Sequence, residues 1–120
     1  MGFKIRRYEC EEDYWKLREF LREVFKANGL REYSWHLARL DYWRWHVMDN
    51  CLKIDSLNDC IFFWEDSNDR IVAAVNRDGP GEAHLQVHPS FDCEELEEEM
   101  LEISERHLFS EKDGLRSLWV

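Results

Sequence analysis

The sequence has little of what separates domains or cross-links small folds. It contains two prolines and five glycines in 120 residues, and no apolar stretch long enough to cross a membrane or to act as a signal peptide. Its four cysteines are scattered, with no Cys-x-x-Cys pair from which a zinc knuckle or a thioredoxin-like site could be built. These absences predict a single cytoplasmic domain over residues 1–120, with reduced and mostly buried thiols.

Positive charge is also scarce. The chain has 16 Lys and Arg against 26 Asp and Glu, which gives a formal net charge of −10 at pH 7. Such a surface repels the phosphates of nucleic acids and of anionic lipids. We therefore predict no nucleic acid partner and no membrane association. The basic side chains near the N-terminus alternate with Phe3 and Ile5, which is typical of a strand with one solvated face.

The spacing of apolar residues predicts both strands and helices. Apolar residues at every second position indicate strands, and those at every third or fourth position indicate helices. A turn sequence separates the second and third predicted strands, so these two are expected to form an antiparallel hairpin. Gly29 stands where a left-handed C-terminal cap would end the first helix. The predicted elements are, in chain order, a strand (3–8), two helices (11–28 and 34–49), three strands (61–65, 71–76 and 82–87), a helix (93–108) and a strand (115–120).

Aromatic residues are concentrated in the second predicted helix. Residues 33–47 hold three tryptophans, two tyrosines and two histidines. Ser34 is the expected N-cap, and on a helical wheel the apolar surface covers more than half of the circumference. One side of this helix would pack on the core, and the other needs a second layer, a ligand or a protein partner. The side chains expected on a substrate or partner surface, including those from the strands, are Trp35, Tyr42, Trp45, Trp64, His84 and His88.

The order of elements resembles that of the GNAT family, the acetyl-CoA-dependent N-acetyltransferases. Val87, Pro89 and Phe91 match a Val-x-Pro-x-aromatic motif at the end of the family's fourth strand and the start of its cofactor-binding helix. Residues 71–76 are similar to the third strand, and residues 8–25 to the first strand and helix. The resemblance implies an α/β fold with a mixed, mainly antiparallel sheet in the order β-α-α-β-β-β-α-β, which lacks the family's final α-β-β. The chain would then be a truncated domain or the N-terminal half of a tandem GNAT protein.

The sequence departs from the family where coenzyme A would bind. GNAT proteins have an Arg or Gln and then a glycine-rich turn here, and the free N–H groups of the helix hold the pyrophosphate. In this chain Asp92 replaces the basic or amide residue, and Glu95 and Glu97 replace glycine or alanine. Two like charges about 4 Å apart cost roughly 4 kcal/mol at an effective dielectric constant of about 20. We expect a degenerate cofactor loop consisting of Val87, His88, Pro89, Phe91, Asp92, Glu95 and Glu97.

A purely structural interpretation of the same acidic residues is also open. Asp92 would be the N-cap of the following helix, and Glu95 would be its capping-box partner. In that case the helix satisfies its own N-terminus and leaves no standard coenzyme A site. Acetyl-CoA as a cofactor therefore follows from the family resemblance alone, and we do not expect this segment to bind it unaided.

Few other residues stand out as catalytic or metal-binding candidates. The chain lacks the Gly-x-Ser-x-Gly, P-loop and His-Glu-x-x-His motifs. His84, Gln86 and His88 alternate along one strand and are expected on one sheet face, where packing is a simpler interpretation than a metal or amine site. We therefore predict no metal site. Glu65 ends a strand on the expected acceptor side of a GNAT-like cleft, which makes it a weak candidate for a general base. The adjacent Trp64 is expected to pack beneath the second helix.

These patterns leave more than one function open. The resemblance implies that the parent protein transfers an acetyl group from acetyl-CoA to an amine, and that this segment is not catalytically competent alone. The alternative is a non-catalytic module that binds a protein or a small ligand through the aromatic second helix. A third hypothesis is a complete enzyme that binds its coenzyme in a non-standard way. The expected partners are a second GNAT domain or another protein, and an exposed aromatic face or an open final strand would favour oligomerisation.

Overall fold

The chain contains both strands and helices, and the predicted mixed α/β class is confirmed. The computed structural model describes residues 2–29, 34–52 and 57–120, with residues 48–52 described by their backbone alone. The elements are β1 (Lys4–Arg7), α1 (Glu11–Ala27), α2 (Leu37–Tyr42), a π-helix (Trp43–Leu52), a 3-10 turn (Leu57–Asp59), β2 (Ile61–Glu65), β3 (Ile71–Gly79), β4 (Glu82–Val87), α3 (Glu94–His107), β5 (Ser110–Lys112) and β6 (Leu115–Ser117).

The first four strands form one antiparallel sheet in the order β1-β2-β3-β4. The hairpin predicted for the second and third strands is confirmed, with Ala74 of β3 paired to Phe63 on one side and to Gln86 on the other. β3 continues three residues beyond the predicted Asn76, to Gly79. All five residues of β2 are buried, because this strand lies inside the sheet and both of its faces are covered.

The sheet has a helical layer on each face. Successive side chains of a strand point to opposite faces, so Phe63 of β2 faces α1 and α2 whereas Phe62 and Trp64 face α3. Burial of each such side chain contributes roughly 1.5–3 kcal/mol. The core on the α1/α2 face includes Tyr14, Leu17, Leu21, Val24, Trp35, Leu40 and Trp43. The core on the α3 face includes Val75, Leu96, Met100 and Leu108.

The second predicted helix is wrong in its start and in its type. α2 begins at Leu37 and is capped by His36, whose Nδ1 accepts a hydrogen bond from the N–H of Ala38 at 3.1 Å, so Ser34 is not the N-cap. From Trp43 the chain continues as a π-helix. A π-helix makes i→i+5 hydrogen bonds and has more residues in each turn than an α-helix. A wheel drawn with the α-helical period therefore misplaces faces beyond Trp43.

The helices α1 and α3 lie close to their predicted positions. Gly29 follows α1 with φ +68°, the left-handed conformation expected of its cap. The N-cap of α3 is Cys93, which makes no side-chain capping bond. The prediction of Asp92 as the N-cap in a capping box is therefore wrong, because Asp92 lies one residue before the capping position. No helix in the described part of the chain is both long and apolar enough to span a bilayer.

The C-terminal segment corrects the prediction of a single final strand after a loop. β5 and β6 form a separate antiparallel two-stranded sheet. The following Trp119 makes a short parallel bridge to the start of β4: its N–H donates to the carbonyl of Gly81 at 2.7 Å, and its carbonyl accepts from the N–H of Ala83 at 2.8 Å. The sequence does not indicate β5, because its three residues, Ser110–Lys112, are all polar and show no apolar alternation.

Candidate functional site

The turn between β4 and α3 forms a recess of about 270 Å³, called here the β4–α3 recess. It gathers four members of the predicted cofactor loop, namely Val87, Pro89, Asp92 and Glu97, together with Asn28, Ser34 and Leu85. Two other members of that loop, His88 and Phe91, line a different cavity. The predicted loop is therefore divided between two cavities, and its relation to a cofactor stays a prediction.

The β4–α3 recess is negatively charged. Asp92 and Glu97 contribute carboxylates, and its described lining includes no Lys or Arg. The first turn of α3 also carries three acidic side chains, so the positive end of the helix dipole is already balanced by the helix itself. A pyrophosphate placed here would meet two carboxylates without a cation or a glycine-lined backbone approach. The residues present therefore do not fit the pyrophosphate of coenzyme A.

The outer edge of β4 borders this recess. The N–H of Ala83 points away from β3, since it donates to Trp119. Backbone groups alternate in direction along a strand, so the N–H and C=O groups of Leu85 and Val87 point to the same outer side. Within the described ranges no strand pairs with this part of β4. The backbone groups that face the outer side of β4 along Leu85 and Val87 are neutral, unlike the carboxylates of the recess.

A larger cavity of about 580 Å³, called here the α1–hairpin cleft, lies between α1, the β2–β3 turn and the loop after β4. Its lining includes the imidazole of His88, whose Nδ1 accepts a hydrogen bond from the N–H of Ser90 at 3.1 Å. The apolar lining residues are Phe20, Ile71, Val72 and Phe91, and the charged ones are Lys16, Glu19, Glu23, Asp66, Asp69 and Arg70. The sequence analysis does not predict this cleft, because three segments far apart in the chain build it.

Glu65, the predicted candidate for a general base, is buried, with 2% of its surface exposed. Its Oε1 accepts a hydrogen bond from Nε of Arg6 at 2.7 Å, and the same guanidinium makes two bonds of 2.7 and 2.8 Å to Asp13. Burial alone would raise the pKa of Asp13, but hydrogen bonds from Arg6 and from the N–H of Glu9 outweigh it, and the pKa lies below its usual value. Glu65 lines neither of the two cavities described above. Its catalytic role stays a prediction.

The three alternating polar residues of β4 do not converge on one ligand. Gln86 is buried; it accepts a hydrogen bond from the N–H of Trp35 at 2.8 Å and donates to Asn76 at 3.0 Å. His84 lies against the ring of Trp35. Burial, and then the nearby cation of Arg39, lower the pKa of His84. Over the part of the chain that the structure describes, no group of three His, Cys, Asp or Glu residues could hold a metal ion.

The buried polar cluster around Gln86 was not predicted from the sequence. It contains two donors with no hydrogen-bond partner among the described residues, Nε1 of Trp35 and Nδ2 of Asn76. Buried donors of this kind cost about 1–3 kcal/mol when they remain unsatisfied. Asn76 offered one signal in the sequence, because it is a polar residue at the end of an apolar strand pattern.

The aromatic residues of the second helical region divide between the core and the surface. Trp35 is 2% exposed and packs edge-on against Trp43, so it does not lie on a partner surface as predicted. Tyr42 and Trp45 are 60% and 56% exposed. The guanidinium of Arg44 lies 4.2 Å from the centre of the Trp45 ring. Residue 33, which begins the aromatic stretch, lies outside the described residues.

Trp64 corrects a second prediction about the aromatic residues. It is fully buried, on the α3 face of the sheet, and so lies neither beneath the second helix nor on a partner surface. Its Nε1 donates a hydrogen bond to Oε1 of Glu99 on α3 at 2.6 Å. The strand register decides this placement, because a residue next to Phe63 must point to the opposite face.

The described elements define a mixed α/β domain with helices on both faces of an antiparallel sheet. No protein-family model matches the chain, and no curated protein matches its sequence. The GNAT assignment therefore stays a prediction that depends on the order of elements and on the motif around Pro89.

Proposed function

We propose that this chain is a GNAT-like domain that supports the acetylation of an amine without holding the acetyl-CoA donor at the family's usual place. The order of the elements and the antiparallel arrangement of β1 to β4 support a GNAT-like architecture. The observation that carries the proposal is the β4–α3 recess. It lies at the turn where the resemblance leads us to expect coenzyme A, yet its charged lining residues are Asp92 and Glu97.

On this proposal the domain contributes scaffold and acceptor-side surface, and another GNAT domain supplies the donor site. The two carboxylates of the recess would repel the donor's pyrophosphate, and each 1.4 kcal/mol of repulsion weakens binding about tenfold. Glu65 supports this division of roles, because Arg6 holds its carboxylate in a buried ion pair. A carboxylate that is buried and bonded to Arg6 is not placed to contact a substrate amine, which a general base must do.

Thermal melting with and without acetyl-CoA tests the proposal. We expect no change in Tm for the unmodified chain at about 1 mM acetyl-CoA, whereas a ligand present at about 100 times its Kd stabilises a protein by about 2.7 kcal/mol. A double variant, Asp92→Arg with Glu97→Ala, should gain a measurable shift. The matched control, Glu105→Arg with Glu98→Ala, makes the same charge change on α3 away from the recess and should show none.

Two results would contradict the proposal. Stabilisation of the unmodified chain by acetyl-CoA would mean that a donor site exists despite the carboxylates. If neither the chain nor the recess variant responds, the charges of Asp92 and Glu97 are not what excludes the coenzyme.

A second candidate function is a non-catalytic interaction module, and the exposure of Tyr42 and Trp45 favours it. Large aromatic side chains are frequent anchors at protein interfaces. Trp15 of α1, also 56% exposed, contacts the same Tyr14 ring as Trp45 and extends the aromatic surface. Sedimentation at several concentrations tests self-association through this surface. Trp45→Ser should abolish any dimer, and a chain that stays monomeric at every concentration would exclude self-association.

A further inference from the structure

The α1–hairpin cleft is the larger of the two described cavities, and the proposed function does not use it. Its volume of about 580 Å³ falls within the roughly 300–1,000 Å³ of typical small-molecule sites. Phe20 and Val72, both almost fully buried, form part of its apolar lining. Phe91 is held in place by edge-on contacts with Phe3 and His88, at ring separations of 5.8 and 5.6 Å. The cleft therefore has a fixed apolar wall.

The charges of the cleft leave a surplus of carboxylates. Four acidic and two basic side chains line it. Asp66 is balanced within the turn, because its carboxylate accepts hydrogen bonds from the N–H groups of Asn68 and Arg70 and from the Arg70 guanidinium at 2.9, 3.0 and 3.3 Å. Asp69 has Lys4 at 3.4 Å, outside the cleft lining. The hairpin side of the cleft is therefore largely neutralised.

The carboxylate surplus lies on the α1 side. Among the described residues, Glu19 has one ion pair, an exposed one with Arg22 at 3.6 Å, and Glu23 has none within 4.0 Å. Lys16 is one turn from Glu19, but it is seven residues, or about 10 Å along the helix, from Glu23. Lys16 therefore cannot neutralise Glu23. Glu23 and Phe20 are three residues apart on one face of α1, which places a carboxylate beside an aromatic ring.

We propose that the α1–hairpin cleft binds a small organic amine in its ammonium form, with an apolar body about the size of one ring. The apolar body would lie against Phe20 and Phe91, and the ammonium group would pair with Glu23. An aromatic ring face also attracts a cation directly. The chain's net charge of −10 favours the approach of a cation and disfavours an anion of the same shape.

Titration of isotope-labelled full-length chain with 2-phenylethylamine, followed by NMR, tests this site. 2-Phenylethanol and phenylacetate are the neutral and anionic comparators. We expect amide shifts confined to the cleft, with the amine binding at least about fivefold more tightly than the alcohol and phenylacetate binding most weakly, since one ion pair near a surface is worth about that factor. No shift at millimolar amine, or equal binding of the three probes, would overturn the proposal.

Two variants separate charge from shape. Glu23→Gln keeps the side-chain size and should weaken amine binding about fivefold while leaving alcohol binding unchanged. Glu105→Gln, an equivalent change on α3, should alter neither. Ser90 is exposed and lines the cleft, so Ser90→Trp should place a large ring in the cleft and block both probes. Unchanged amine binding in either Glu23→Gln or Ser90→Trp would place the amine elsewhere and refute the proposed site.

Discussion

The two faces of the sheet are stabilised in different ways. On the α1/α2 face, charged side chains extend into the packing: Arg6 joins buried Glu65 to buried Asp13 of α1. On the same face, the hydroxyl of Tyr14 on α1 donates a hydrogen bond to the carboxylate of Asp41 on α2. Arg18 donates two more hydrogen bonds to this carboxylate, at 2.8 and 2.9 Å. On the α3 face, the core consists of apolar side chains. A hydrogen bond from Trp64 of β2 to Glu99 of α3 joins the sheet to this helix.

The difference shows how geometry is specified on each face. Apolar packing is non-directional, so the position of α3 is set mainly by the shapes and volumes of the side chains packed between it and the sheet. Ion pairs and hydrogen bonds depend on direction, and those of the α1/α2 face fix α1 against β1 and against α2. Buried charges add little net stability while they are paired, but removal of one partner is costly. The α1/α2 face should therefore be the more sensitive to single charge changes.

The largest expected effect comes from Arg6. Arg6→Met would remove the guanidinium that bonds to Asp13 and Glu65, which are 3% and 2% exposed, and would leave Glu65 with the exposed ammonium group of Lys4 at 4.0 Å. We expect a loss of about 3–5 kcal/mol in the free energy of unfolding, measured by urea denaturation. The control is Arg7→Met. Arg7 pairs with the exposed Asp59 at 3.2 Å and bonds to His107 at 3.4 Å, both at the surface, so this change should cost less than about 1 kcal/mol. Similar losses in both variants would contradict the comparison between buried and exposed charge.

A cavity on the α3 face should have a slightly smaller effect. Leu96→Ala removes a side chain with no exposed surface and should lower the free energy of unfolding by about 2–4 kcal/mol. Leu101 lies on the same helix but is 37% exposed, so Leu101→Ala should cost less than about 1 kcal/mol. Equal urea midpoints for the two variants would mean that α3 does not pack as described.

Acidification should produce the smallest effect that distinguishes the two faces. Hydrogen bonds from Arg18 lower the pKa of Asp41, and Asp13 is also shifted below its usual 3.8. A carboxyl group with a lowered folded-state pKa contributes stability above its unfolded pKa and loses it as the pH falls through the folded value. We therefore expect stability, measured by urea unfolding, to fall below about pH 4.

Variants test whether that loss comes from the α1/α2 face. Asp41→Asn should flatten the dependence below about pH 4, while Glu98→Gln, an exposed change on α3, should leave it as in the unmodified chain. Two histidines should cause a further loss of stability at higher pH, one on each face of the sheet. The pKa of His84 and that of His107 are both lowered, mainly by burial. Both residues favour the folded state when neutral, so some stability should be lost as the pH falls below about 6.5 on either face.

Much of the secondary structure could be predicted from residues close together in the sequence. The bounds of β2 and β4 match the predicted strands, and α1 ends at Ala27 with Gly29 in the left-handed conformation, because alternation, helical spacing and glycine freedom are local properties. The prediction was less accurate where a contact set the structure. His36 caps α2 with its own ring, and the polar segment Ser110–Lys112 becomes a strand by pairing with β6.

The candidate site was less predictable than the fold. The sequence identified Asp92 and Glu97 at the start of α3, and both line the β4–α3 recess. The α1–hairpin cleft was missed, since Phe20, Ile71 and Phe91 come from three separate segments. Trp35 and Trp64 were expected on a surface, but their exposure depends on which layers cover them, and no local pattern encodes that.

By itself the sequence determined the strands β1 to β4, the helices α1 and α3 and the negative charge at the start of α3. These features follow from the period of apolar residues and from the side chains present. Only the tertiary structure decided which tryptophans are buried, that Arg6 joins Glu65 to Asp13, and that a cleft opens beside Glu23. The physical reason is that burial, ion pairing and cavities depend on distances between segments that the chain brings together only when it folds.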